Sequence, residues 1–244
     1  MIDTITLVVL GGAFAGGFVS GLTGFGTGLT TLPIWLYVLT PVTAGPLVII
    51  CSLVSQFQTL PAIWHAIDFR RCAPFIAGGL LGVPLGAWLL PQVPVQAFKI
   101  AVAALLIGYC LFALIGRSRL RVERGGLLAD GLIGLGGGVL GGMAGLAGPL
   151  PTIWASLRGW SKDVKRSVFQ AFNTSVLIFA LISQFATGLV NAGVWHWVLV
   201  ALPGTICGAW IGRRVYRRLD DSKFEKTVLL ILMISGCTLL LGSL

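Results

Sequence analysis

Two stretches of this sequence combine glycine and hydroxyl residues in a way that suits the binding of a small anion. The first runs Thr23-Gly24-Phe25-Gly26-Thr27-Gly28, with Thr30 and Thr31 just beyond, and the second holds Gly145 and Gly148, with Thr152 beyond. Where such glycines interrupt a helix, the next helix starts with N–H groups that have no intrahelical acceptor, and the helix dipole adds positive potential. Glycine also lets backbone approach a ligand closely. Close helix packing would use the same glycines, but the hydroxyls of the first stretch favour binding. Further polar side chains gather as Ser55, Gln56, Gln58 and Thr59, and again as Ser183, Gln184 and Thr187, with Asn173, Thr174 and Ser175 upstream. Such groups commonly join helix to helix in membrane bundles. The candidate binding residues are Thr23, Gly24, Phe25, Gly26, Thr27, Gly28, Gln56, Gly145, Gly148, Asn173 and Gln184. His65 and Asp68 are candidates for proton coupling, although His65 and His196, each preceded by a Trp, also suit interfacial anchoring.

The elements that position these residues follow from composition. The 244 residues are 56% hydrophobic and only 10% charged, with a mean hydropathy of +0.95, whereas soluble domains carry about 25% charge. Lipid must be the solvent. A helix needs about 20 apolar residues to cross about 30 Å of hydrocarbon. Residues 44–65, 72–90, 96–116, 167–188, 194–212 and 224–243 meet that length. The stretches 4–39 and 127–157 are too long for one span and are interrupted by the glycines above, so each reads as helix, break, short helix. The expected fold is an all-α integral membrane protein of 8 to 10 transmembrane segments.

The net charge of +9 reads as topology rather than as a nucleic-acid surface. All but two of the 17 Lys and Arg fall in four clusters: Arg70 and Arg71; Arg117 to Arg124; Arg158 to Arg166; and Arg213 to Lys223. The loops at 40–43, 91–95 and 189–193 have none. The positive-inside rule then puts the four basic loops in the cytoplasm and both termini outside. No basic n-region precedes the first apolar stretch, so it is expected to remain as a span.

The chain also resembles itself. Gly17 to Phe25 matches Gly138 to Leu146, Ser55-Gln56-Phe57 matches Ser183-Gln184-Phe185, Trp64-His65 matches Trp195-His196, and Gly86-Ala87-Trp88 matches Gly208-Ala209-Trp210. Matched loops carry opposite charge bias, so the halves are expected to run antiparallel: 1–116 as the first membrane repeat, 117–126 as a basic cytoplasmic linker and 127–244 as the second, inverted repeat. Each repeat would hold one broken unit and three full spans. Inverted repeats place binding sites near the midplane, and broken helices commonly build them.

Enzyme chemistry is not expected. All eight acidic residues lie in loops or in the first turns of spans, and no Ser-Lys dyad or His-carboxylate metal set can be assembled at membrane depth. No cofactor is implied. The five cysteines stand singly, without metal or redox spacing.

The run Gly17-Phe18-Val19-Ser20-Gly21-Leu22-Thr23-Gly24-Phe25-Gly26-Thr27-Gly28 with Pro33 resembles the TauE/SafE family, often called sulfite exporters. So do Pro41 and Ala44, then His65, Asp68 and Arg70, then Gly78 to Ala87. The second half departs from the family's pattern at Ala147-Gly148-Pro149 and Lys165-Arg166-Ser167. The resemblance implies a multi-pass carrier of the bacterial inner membrane for sulfite, organosulfonates or related small anions. Its partners would be that anion and the bilayer, with a homo-oligomer left open. The competing readings are an importer of the same anions, a membrane-embedded sulfur-transfer or enzyme partner built around Cys51, and an assembly subunit.

Overall fold

The computed structural model describes residues 3–23, 26–59, 69–115, 126–158, 160, 162–216, 233, 237 and 239–241. Among them the chain is helical, with no strand. In hydrocarbon a backbone must satisfy its own N–H and C=O groups, and a helix does so within one segment. The described helices are α1 (Thr4–Thr23), α2 (Thr27–Trp35), α3 (Pro41–Thr59), α4 (Phe69–Leu89), α5 (Val95–Ile115), α6 (Leu127–Ala144), α7 (Pro149–Leu157), α8 (Lys162–Ala186) and α9 (Ala192–Tyr216). Seven of these, all but α2 and α7, are long and apolar enough to cross a membrane.

The boundaries depart from the sequence expectation in informative ways. The short helix expected at 29–39 begins at Thr27 and stops at Trp35, followed by a turn in which the N–H groups of Val38 and Leu39 donate to the Trp35 carbonyl at 3.0 and 2.7 Å. α8 starts at Lys162 and α9 continues to Tyr216, so parts of two basic loops are helical. Lys and Arg are good helix formers, and hydropathy marks where hydrocarbon ends, not where a helix must. The 60–65 end of the span expected at 44–65, nearly all of the linker expected at 117–126, and most of the span expected at 224–243 lie outside the described residues.

α1 and α2 form a hairpin of unequal arms. Gly12 of α1 faces Trp35, Gly16 faces Thr27 and Thr31, and the Trp35 indole donates to the Val9 carbonyl at 3.1 Å. α6 and α7 form a second hairpin, in which the Trp154 indole donates to the Asp130 carboxylate at 2.7 Å. The hairpins point in opposite directions along α3. The α1 tip lies toward the C-terminal end of α3, where Arg213 of the neighbouring α9 bonds Gln58. The α6 tip lies toward its start, where Gly45 meets the Met143 carbonyl.

The most extensive helix contacts are α1 with α9 and α4 with α6, each pair running parallel. A methyl group at Gly17 or Gly21 would collide with the carbonyls of Thr205 or Ala209, and one at Gly138 or Gly142 with those of Gly79 or Val83. Backbones in contact at small residues are how helices gain dispersion contact where lipid offers no hydrophobic drive. This packing matches Gly17 to Gly138, as the sequence does, but equates Ala209 with Val83, one turn away from the sequence match of Ala209 to Ala87. Glycines repeated every fourth residue make that alignment degenerate by a turn.

Two apolar clusters fill the bundle, one around Trp35, Leu47 and Leu106 and the other around Phe75, Phe172 and Leu177. Basic residues collect at one end: Arg71 and Arg158 both lie over the Trp160 ring, at 5.9 and 5.7 Å, so the start of α4 and the end of α7 are neighbours.

Candidate functional site

The first break ends at Gly26, whose φ of 99° is a left-handed conformation open to glycine at little cost. Gly26 caps α2, and its carbonyl accepts the first intrahelical bond, from Thr30 N–H at 3.1 Å. The N–H groups of Thr27, Gly28 and Leu29 therefore have no acceptor within the helix, and all three residues are buried. The second break begins at Gly145, φ 69°, which closes α6: Gly145 N–H donates to Gly141 at 2.9 Å and Leu146 N–H to Leu140 at 3.3 Å. α7 then opens with Pro149, and Pro151 is its third residue. Proline has no N–H, so of the first three positions of α7 only Leu150 offers a donor.

The two breaks touch. A methyl group on Gly28 would lie 3.0 Å from the Gly145 carbonyl oxygen and 3.1 Å from the Val48 side chain. Around this contact is a small, partly open recess. Among the residues expected from sequence, Gly26, Thr27, Gly28, Gln56, Gly145, Gly148 and Asn173 line it, so residues far apart in sequence converge on one place. Gly24, Phe25, His65 and Asp68 lie outside the described residues, as does the side chain of Thr23.

Gln184 is elsewhere. It is fully buried, and its side-chain amide donates to the Gly142 carbonyl at 2.7 Å, tying α8 to α6. The match to Gln56 gave its register but not its surroundings. Cys51 is also away from the recess, in the larger apolar cluster.

Ser52 lines the recess and was not singled out by the sequence. Its hydroxyl is buried with no hydrogen-bond partner, a costly state unless something occupies the recess. The signal was available, since Ser52 lies one helical turn before Gln56 and shares its face. Thr31 donates to the Thr27 carbonyl at 2.8 Å, while the Thr30 hydroxyl is buried without a partner. The lining contains no charged side chain. What it offers is α2 N–H groups, the hydroxyl residues Thr27 and Ser52 and two amides, donors that suit an anion or a polar neutral molecule.

A buried carboxylate was not expected, yet Asp130, in the first turn of α6, is 6% exposed. The Trp154 indole that bonds it comes from α7, folded back alongside.

Seven apolar helices of spanning length make this a multi-pass membrane protein, and a family match places it among transporters. The family model described as "Sulfite exporter TauE/SafE" matches residues 8–239, nearly the whole chain, and the protein belongs to that family. No match was found among curated proteins or among solved structures.

Proposed function

We propose that this protein is a secondary transporter that exports a small oxyanion, such as sulfite or a sulfonate, through the recess between its two broken helices. The observation that carries the reading is the contact of Gly28 with the Gly145 carbonyl beside the unpaired Ser52 hydroxyl and the start of α2. An oxyanion would accept from the N–H groups of Thr27, Gly28 and Leu29, from Ser52 and from the amides of Gln56 and Asn173. Such charge-assisted bonds are the strong ones.

The opposed hairpins support an inverted repeat, 1–116 against 127–244, with the linker near 117–126 and the last span near 224–243 completing 8 to 10 segments. The α1–α9 and α6–α4 pairs are then equivalent contacts, each joining one half to the other. Basic residues near one end of the bundle support a cytoplasmic placement for that end in the inner membrane, with both termini outside. α2 runs away from that end, so its positive start faces the cytoplasm. Export follows the membrane potential, which favours an outward-moving anion by about 2.3 kcal/mol per charge for each 100 mV. No proton need be coupled.

The test uses proteoliposomes loaded with sulfite and clamped negative inside by a potassium gradient with valinomycin. Release faster than from unclamped vesicles, with little response to a pH gradient at fixed voltage, is expected. Release that ignores voltage and follows pH would replace this reading with proton-coupled exchange, for which His65 and Asp68 are the first residues to change.

A further inference from the structure

A partly buried cation lies further along α3 than the charge-free recess. Arg213, in the last turn of α9, is partly buried and reaches across to the end of α3, where Nη1 donates to the Gln58 carbonyl at 2.9 Å and Nη2 to Gln58 Oε1 at 3.1 Å. Both acceptors are neutral, so neither cancels the charge. They occupy the end of the guanidinium formed by the two Nη atoms, which leaves the side edge, Nε–H with the second Nη2–H. Nε is buried and has no hydrogen-bond partner. A guanidinium edge of that kind is a fork for two oxygens of one oxyanion.

Its place in the fold gives the fork a purpose. Gln58 lies two residues beyond Gln56, so it is further along α3 than the recess and on another face of that helix. A methyl group at the adjacent Gly212 would lie 3.2 Å from Gly21 Cα, so α9 presses on α1 just ahead of the first break. The fork therefore sits at the end of the bundle toward which the start of α2 opens. Neither the sequence match nor the packing match gives Arg213 a basic counterpart: its equivalents in the first half are Pro91 and Ala87.

We propose that Arg213 forms a second anion site, a bidentate oxyanion-binding fork that captures the substrate at the basic end of the bundle before it enters the recess. This rests on the transport reading above, but one arm of its test does not need transport. Gln58 holds the guanidinium by its far end and so presents the side edge. A lysine there would keep the charge and lose the fork. Arg214, the next residue, lies over the Trp210 ring at 3.5 Å and serves as a control for charge alone.

Two measurements test it. In detergent, methanesulfonate, which unlike sulfite does not add to the reagent's aldehyde, should protect Arg213 but not Arg214 from phenylglyoxal, read by peptide mass spectrometry; equal modification of Arg213 with and without methanesulfonate would overturn the site whether or not the protein transports the anion. In inside-out membrane vesicles, Arg213→Gln should raise the half-saturating sulfite concentration on the order of tenfold or more, as expected for a lost hydrogen bond to a charged partner. Arg213→Lys should fall in between, and Arg214→Gln should stay within about twofold, as for a screened surface charge. Half-saturation in Arg213→Gln equal to that of the wild type, or Arg213→Lys indistinguishable from the wild type in flux and thermal stability, would make Arg213 only a cap on the α3 C-terminus.

Discussion

The two helix breaks are alike in position and opposite in chemistry. Each follows a long arm and precedes a nine-residue helix, and each has, among the described residues, one glycine with positive φ. In the first break that glycine, Gly26, starts the short helix and leaves three N–H groups open. In the second, Gly145 ends the long arm, and prolines at the first and third positions of α7 remove two of the three donors. The difference teaches that equivalent backbone paths need not make equivalent binding contributions. By this account the second break is a wall, placed against Gly28, and the first break does the binding.

Gly28→Leu breaks the comparison most severely. The new side chain would enter the space held by the Gly145 carbonyl, Val48 and Leu146, and loss of all measurable sulfite binding is expected by calorimetry, with the protein still inserted. Ser52→Ala and Asn173→Ala come next, each weakening binding by about 1.5 to 3 kcal/mol for a hydrogen bond to a charged ligand. Unchanged affinity in both would move the anion out of the recess. Gln184→Ala should leave affinity alone and instead lower stability by about 0.5 to 1.5 kcal/mol through the lost bond to Gly142, read as a shift in melting temperature. The smallest effect is expected from Pro149→Ala, which returns a donor to the lining of the second break. Binding should tighten by no more than about 1 kcal/mol, and weaker binding would mean that proline holds the wall in place.

Sequence made the breaks legible because glycine clusters inside apolar stretches have few other uses in lipid, and because hydroxyls beside them are expensive without a purpose. Gly26, Thr27, Gly28, Gly145 and Gly148 fall in one recess for that reason, and Asn173 and Gln56 join them from other helices. Ser52 is inconspicuous in sequence because it stands alone ahead of the dense polar run at 55–59, and only its four-residue spacing from Gln56 marks the face they share. Gln184 shows the converse limit. The repeated Ser-Gln-Phe pairs Gln184 with Gln56 in sequence alone, while the neighbour each amide meets depends on how two different helices pack, and the small residues of α6 bring the Gly142 carbonyl within reach. That the chain is a bundle of apolar helices of spanning length was readable from hydropathy, but helix ends were not, since α8 and α9 continue past the apolar windows with basic residues.

The central claim is that an oxyanion binds where the two breaks meet, held by the start of α2. Selenite carries an oxygen arrangement like that of sulfite around an anomalous scatterer. Anomalous diffraction from selenite-soaked crystals should place a selenium peak in the recess, against the N–H groups of Thr27, Gly28 and Leu29 and the Ser52 hydroxyl. A peak confined to other surfaces, with that recess empty at saturating selenite, would contradict the account.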